Sequence, residues 1–219
     1  MMDALTCLTT RRSIHQVSDS GPSEDEFRIM LEAASRAPDH GGLRPWRLLV
    51  FRGEARRELG EVFAQSALRD DPGTSAAAVG RLRGKPLRAP LIVAVVCRSR
   101  EHPKVPAWEQ LASAVCAAHS ISLAAHALGY GAVWRTGGLC AHEYVRKSLG
   151  VEDDEQLISW MYIGRPRRRP GPGRARSVED RVTDWRPAEP DTPSHPRGFG
   201  RSGERAGLPE FFRRYRRKQ

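Results

Sequence analysis

The sequence predicts an α+β layered domain, and three observations carry that prediction. Leu91-Ile92-Val93-Ala94-Val95-Val96 is a short continuous apolar run, the pattern of a strand covered on both faces. Trp108 to Leu128 is Ala-rich and contains neither Gly nor Pro, so it reads as a long helix, apolar nearly all round and buried at the centre. Around these two, shorter helical and strand patterns alternate, which favours a central antiparallel or mixed sheet flanked by helices over a helical bundle.

In chain order, residues 3–10 place Ala4, Leu5, Cys7 and Leu8 on one face of a short helix that delivers Arg11 and Arg12 at its end. Ser23 followed by Glu24-Asp25-Glu26 is a helix start: Ser23 is the N-cap, Glu26 closes a capping box, and the acids sit on the positive end of the dipole. That helix stops before Pro38. Trp46 to Phe51 reads as a strand, Gly53 to about Leu68 as a helix, and residues 69–85, small and polar, as a mobile surface excursion. The apolar strand spans Ala89 to Cys97, and Gly129 caps the long helix. Tyr130 to Trp134 is a strand ending in a Gly137-Gly138 turn, His142 to Leu149 a short helix, and Leu157 to Ile163 a last strand.

A chain of 219 residues is one domain, or one domain and a tail. Its charge divides accordingly. Up to Gly164 there are 20 Lys and Arg against 19 Asp and Glu, and beyond it 16 against 7, so the net +10 belongs to the last quarter. We therefore assign residues 1–164 to the folded domain and 165–219 to a basic Pro/Gly/Arg-rich extension, flexible for most of its length. Within it, residues 178–185 are expected to dock through Val182 and Trp185, and Leu208 to Tyr215 to form a brief helix. Cys7, Cys97, Cys116 and Cys140 show no metal-ligand spacing and are expected as reduced, mostly buried thiols. No apolar run approaches ~18 residues and no leader pattern opens the chain, so no membrane span is expected and the protein is read as soluble and cytoplasmic.

Three separated segments carry chemistry. Arg11-Arg12-Ser13 offers two guanidinium forks and a hydroxyl, which suit phosphate or carbonyl oxygens. Arg36-Ala37-Pro38-Asp39-His40-Gly41-Gly42 presents Arg36 and His40 beside a glycine loop, and Trp134-Arg135-Thr136-Gly137-Gly138 follows a strand. Isolated triplets such as Arg-Arg-Ser are usually solvated helix ends; it is the company of the other two segments that gives this one weight. A hydrolase reading of Asp39-His40-Gly41-Gly42 fails because no G-x-S-x-G elbow occurs. Gly129-Tyr130-Gly131 is no dinucleotide fingerprint, since it follows a helix and lacks the third glycine.

Together with Ala89-Pro90-Leu91-Ile92 and Lys104-Val105-Pro106-Ala107-Trp108-Glu109-Gln110, these segments resemble the FMN-dependent nitroreductase family, in its small, minimal branch, over residues 2–165. The resemblance implies an α/β sandwich homodimer, domain-swapped in type, with FMN at the subunit interface. It implies NAD(P)H as co-substrate in a ping-pong reaction with a small-molecule acceptor such as a nitroaromatic or quinone. Carried over by position, Arg11, Arg12 and Ser13 would bind FMN together with Trp134, Arg135 and Thr136 of the same subunit, and Arg36 and His40 would reach in from the other. The flavin carries the reaction, so no acid-base residue and no metal is nominated. Gly42 and Arg44 stand where many relatives have Asn and Gln, and His15 where they have Arg, which alters the fine flavin contacts. Two other readings are the same fold with a dehydrogenase, oxidase or dehalogenase reaction, and, ranked last, a nucleic-acid or anionic-surface binder acting through the tail.

Overall fold

The computed structural model describes residues 2–168, 171 and 177–185. Its core is a four-stranded sheet in the order β1-β2-β4-β3, formed by β1 (Trp46–Arg52), β2 (Leu91–Arg98), β3 (Gly131–Arg135) and β4 (Glu155–Gly164). Every pairing of these strands is antiparallel, which settles the choice between antiparallel and mixed. The apolar run predicted as a central strand is β2, interior to the sheet and buried from Leu91 to Cys97.

Side-chain alternation along β2 feeds two cores. Leu91, Val93 and Val95 point to one face, where they meet α2 (Glu24–Ser35) and α5 (Ala107–Ala127) through Met30, Ala118 and Ile121. Ile92, Ala94 and Val96 point to the other, against Leu59 and Phe63 of α3 (Ala55–Asp70) and Val145 of α7 (Glu143–Ser148). The capping box read from sequence is formed: Ser23 Oγ accepts from the Glu26 N–H at 3.2 Å and Glu26 Oε2 accepts from the Ser23 N–H at 2.8 Å. A short α1 (Ala4–Thr10) lies against the last turns of α5, with Cys7 Sγ 3.4 Å from Leu123 O and Thr10 Oγ1 2.9 Å from His126 Nε2.

Four expectations need correction. The excursion over 69–85 contains α4 (Ala76–Arg83), started by Ser75 Oγ at the Ala78 N–H and anchored by buried Val79. It packs on α3 because Gly60 has no side chain: a Cβ there would lie 2.3 Å from Arg83 O. The Gly137-Gly138 turn leads directly into a single helical turn, α6 (Gly138–Ala141). The helix α5 is buried on one side only, since Trp108 and Val115 on the other remain 49% and 41% exposed. Of the cysteines, Cys7 and Cys97 are buried while Cys116 and Cys140 are half-buried; all four are free thiols.

The chain's first unit runs on to Arg174, beyond Gly164. In the second, Glu179–Arg181 makes a single 3-10 turn, and Val178, Val182 and Trp185 are exposed. The helix expected over 208–215 and most of the tail lie outside the described residues. No described helix is long and apolar enough to cross a membrane.

Candidate functional site

The segment after α1 lies along the β3 edge of the sheet and touches it at one isolated bridge. Ser13 forms a parallel bridge with Ala132 of β3, and the Ile14 N–H donates to Ala132 O at 3.0 Å. On its other flank the segment is tied to the chain leaving β4: the Ser18 N–H donates to Arg165 O at 2.8 Å, the Arg165 N–H to Ser20 O at 2.9 Å, and the Arg167 N–H to Gln16 O at 3.1 Å. Glycine makes this approach possible at Gly131, where a Cβ would lie 2.7 Å from Ile14 Cβ and Cγ2. We expect Gly131→Ala to push Ile14 off β3 and to loosen anion binding at Arg12 and Ser13 several-fold, at about 1–3 kcal/mol of folding stability. Parallel thermal melts and anion titrations check this, and an unchanged affinity would show that Ile14 can yield without moving its neighbours.

Between these flanks opens a cleft of about 430 Å³ lined by Arg12, Ser13, Ile14, His15, Gln16, Arg168 and Gly171. Arg12, Arg168 and His15 line it and, among the described residues, no carboxylate does, so its charge and donor types suit an anion. A polar knot ties the start of β3, α2 and the chain leaving β4 together nearby. Tyr130 Oη donates to Glu26 Oε2 at 2.7 Å, Arg165 donates to Tyr130 Oη at 3.1 Å, and the Arg165 guanidinium lies 4.2 Å from the Tyr130 ring centre. The Ser23 N–H, then Tyr130, hold the Glu26 carboxyl below its usual pKa, so it stays an anion between them.

Arg135 and Thr136 line a second cavity, of about 110 Å³, on the α3 face of the sheet, with Lys85, Arg88, Phe63, Leu139, Trp160 and Tyr162. Arg135 stands 5.4 Å over the Tyr162 ring. Burial pushes the Tyr162 phenol up to about 12, so it stays protonated at any ordinary pH. The Cys140 thiol is likewise raised by burial, to about 11, which leaves it a poor nucleophile near neutrality.

The other predicted residues are placed differently. Arg11 is the C-cap of α1, its N–H on Cys7 O, and its charge together with the larger effect of burial lowers the pKa of His126. Trp134 packs its ring against the α2–α5 core. Arg36, exposed at the C-terminal end of α2, and His40 line neither cavity. His40 is held by Glu109 of α5, Nδ1 to Oε2 at 2.7 Å. The loop around it is rigid: Asp39 accepts from the N–H groups of Leu43 and Arg44 at 3.2 and 2.6 Å, which fixes Arg44 at φ 47°, a left-handed value rare for arginine. Sequence reasoning missed Lys85, Arg88, Gln16 and Arg168 as lining residues. Lys85 and Arg88 carried no local signal, and Arg168 sits in what reads as tail.

The chain matches the family model described as "Nitroreductase family" over residues 8–165. It is 38% identical over 165 residues to the Escherichia coli K12 protein named "Putative NAD(P)H nitroreductase YdjA", covering 75% of this chain and 89% of the relative. It is 31% identical over 174 residues to "Putative NADH dehydrogenase/NAD(P)H nitroreductase" of Archaeoglobus fulgidus, covering 76% and 87%. Among solved structures it resembles a nitroreductase-like family protein from Bacillus cereus, with a TM-score of 0.73 at 21% identity over 84% of this chain and 97% of that one. It also resembles a point mutant of NfnB, an FMN and NADPH-dependent nitroreductase derived from a sphigopyxis strain, with a TM-score of 0.64 at 22% identity, covering 84% and 99%. The antiparallel sheet, the cationic cleft beside β3 and the family match over most of the chain lead to one assignment: this protein belongs to the nitroreductase family.

Proposed function

We propose that this protein is an FMN-dependent NAD(P)H oxidoreductase whose second substrate is a small acceptor such as a nitroaromatic or quinone. The observation that carries the reading is the cleft itself: Arg12, Ser13, His15 and Arg168 line one open space at the edge of β3 that no carboxylate lines among the described residues. The donor set fits a phosphate ester, with guanidinium forks for the terminal oxygens and a hydroxyl for a short bond. When bound, FMN supplies hydride acceptance from NAD(P)H and electron delivery to the acceptor in alternating half-reactions. The chain's own part is to hold the phosphate at Arg12 and Ser13, with Arg11 just before them at the end of α1, to orient the ring with Arg135, Thr136 and the backbone of Trp134, and to keep water from the reacting edge. NfnB, similar in fold, is described as FMN and NADPH-dependent, which agrees with this reading.

The reading includes a homodimer. Leu5 and Leu8 of α1 are 74% and 58% exposed, and Trp108 and Val115 of α5 add two further apolar side chains on an adjoining helix. Unburied apolar surface of this kind on packed helices fits a partner of the same chemistry, and a second copy would bring its Arg36 and His40 to the cleft. Val115→Asp should convert the dimer to monomer in sedimentation or light scattering, with loss of bound flavin; a native chain that is monomeric at micromolar concentration would refute the dimer.

The deciding experiment is direct. The purified protein should be yellow, release FMN on denaturation, and bleach anaerobically with NADPH. A colourless protein that takes up no FMN on reconstitution would overturn the assignment of cofactor.

A further inference from the structure

Residues 104–110, one of the segments that carries the family resemblance, line neither cavity. They are organised around a different object. Gln110, 1% exposed in the first turns of α5, gathers the loop that precedes the helix: its Nε2 donates to Arg100 O at 2.8 Å and to Val105 O at 3.0 Å, and its Oε1 accepts from the Arg100 N–H at 3.0 Å. His102 Nδ1 accepts from the Lys104 and Val105 N–H groups at 3.2 and 3.1 Å, which closes the turn ahead of Pro106. Val105, buried by this folding, lies against the glycine loop of His40, where a Cβ on Gly41 would be 3.6 Å from Val105 Cγ2. A buried amide with its bonds made is costly to displace, so the start of α5 is fixed against that loop. From there Glu109 reaches His40, Oε2 to Nδ1 at 2.7 Å.

A carboxylate only accepts, so the Nδ1 that faces it carries a proton. The neutral ring is then held as the tautomer whose Nε2 has a free lone pair, and in the protonated ring the same Nε2 donates. Asp39, the other acid of the loop, is spent on the Leu43 and Arg44 N–H groups, so among the described residues Glu109 alone engages the ring. The His40 side chain is 59% exposed, which leaves Nε2 open to a ligand.

We propose that Glu109 is a positioning residue for His40: it fixes the tautomer and the direction of the ring, so that Nε2 is the nitrogen offered to the flavin site of the second subunit. The destination rests on the cofactor and the dimer proposed above, and the choice of nitrogen rests on this contact alone.

The whole chain, labelled with 15N-histidine and carrying whatever flavin it retains, reads the choice of nitrogen through long-range 1H–15N correlation spectra, with the His40 signals identified by their loss in His40→Gln. We expect His40 Nδ1 to stay protonated from about pH 6 to about pH 9, whether the ring is charged or neutral, and Glu109→Ala to move the neutral ring toward the Nε2–H form. Glu109→Gln, whose amide oxygen accepts the same bond, should restore Nδ1–H. FMN titration reads the destination. His40→Ala and Glu109→Ala should each weaken retention by about three- to tenfold, the loss of one hydrogen bond, with Glu109→Gln recovering most of it and the double variant no weaker than His40→Ala. Melting curves of each variant distinguish these losses from loss of fold. A native His40 that carries its proton on Nε2 alone, or a spectrum that Glu109→Ala leaves unchanged, would overturn the positioning role. Additive losses in the double variant would overturn it as well, since Glu109 would then act on the flavin by another route. A chain that takes up no FMN would defeat the function proposed above, and the tautomer spectra would still decide this contact.

Discussion

Arg12→Gln is expected to weaken FMN retention by about 100-fold while leaving the melting temperature within a few degrees of the native value. Arg12 lines the cleft together with Ser13 and Arg168, and it forms no ion pair among the described residues. Its removal therefore breaks no ion pair or side-chain hydrogen bond among the described residues. A guanidinium meets a phosphate through two parallel charge-assisted bonds, each worth about 1.5–3 kcal/mol, so losing the fork while keeping a polar side chain of similar reach costs roughly two powers of ten. Arg12→Lys should recover only part of this, because an ammonium restores the charge without the planar geometry. Fluorescence titration of the flavin-stripped protein with FMN measures both variants. If Arg12→Gln bound FMN like the native chain, the phosphate would have to lie elsewhere, and the second cationic cavity, at Lys85, would be the first place to seek it.

How far the site could be read from the chain depended on the distance over which each signal is written. The capping box of α2 lies within four residues, and the apolar run of β2 within eight, so both are evident from pattern alone. Arg12 and Ser13 were legible only through the company of two distant segments, Arg36 to Gly42 and Trp134 to Gly138, because the triplet alone reads as a solvated helix end. Helix α4 was hidden because its eight residues have little apolar periodicity; what makes them helical is the Ser75 cap and the space that Gly60 leaves in another helix. Lys85 and Arg135 are fifty positions apart, single cations in unremarkable surroundings, and antiparallel pairing through β4 is what brings them to one cavity. His40 illustrates the converse. Its glycine loop was evident, but its tether is Glu109, on a helix 69 positions later.

A buried carboxylate supports the loop that carries His40 and Arg44, and its loss should be the most destabilising single polar change in the first unit. The Glu155 side chain is 1% exposed at the start of β4, and Arg47, the second residue of β1, donates to it from Nε at 2.7 Å and from its second guanidinium nitrogen at 2.5 Å. The same nitrogen also donates to Gly150 O at 2.6 Å, and the Glu152 N–H donates to Glu155 Oε2 at 3.1 Å. The end of the sheet next to the Gly41–Pro45 loop is thus knotted to the turn after α7. Removing the carboxylate leaves Arg47 partly buried without its partner. Fully buried pairs lose about 3–5 kcal/mol on such a change; Arg47 is 34% exposed, so water replaces part of the contact, and about 2–3 kcal/mol, roughly 5–10 °C in Tm, is the expected cost of Glu155→Gln at pH 7. The pH dependence separates charge from shape. Arg47's hydrogen bonds hold the Glu155 carboxyl below its ordinary pKa, against the opposing effect of burial. A depressed folded pKa means the unfolded chain binds the proton first, so this stabilisation is complete above the usual carboxylate range and is lost as pH falls through the folded value. The gap between native and Glu155→Gln stability should therefore be widest near neutrality and close on acidification, as read from urea midpoints between about pH 7 and pH 3. A gap that stayed constant over that range would mean that packing, and not the ion pair, holds this corner. Flavin retention should fall with stability only if the loop at His40 moves when the corner opens, which ties the sheet's most buried charge to the rim of the proposed site.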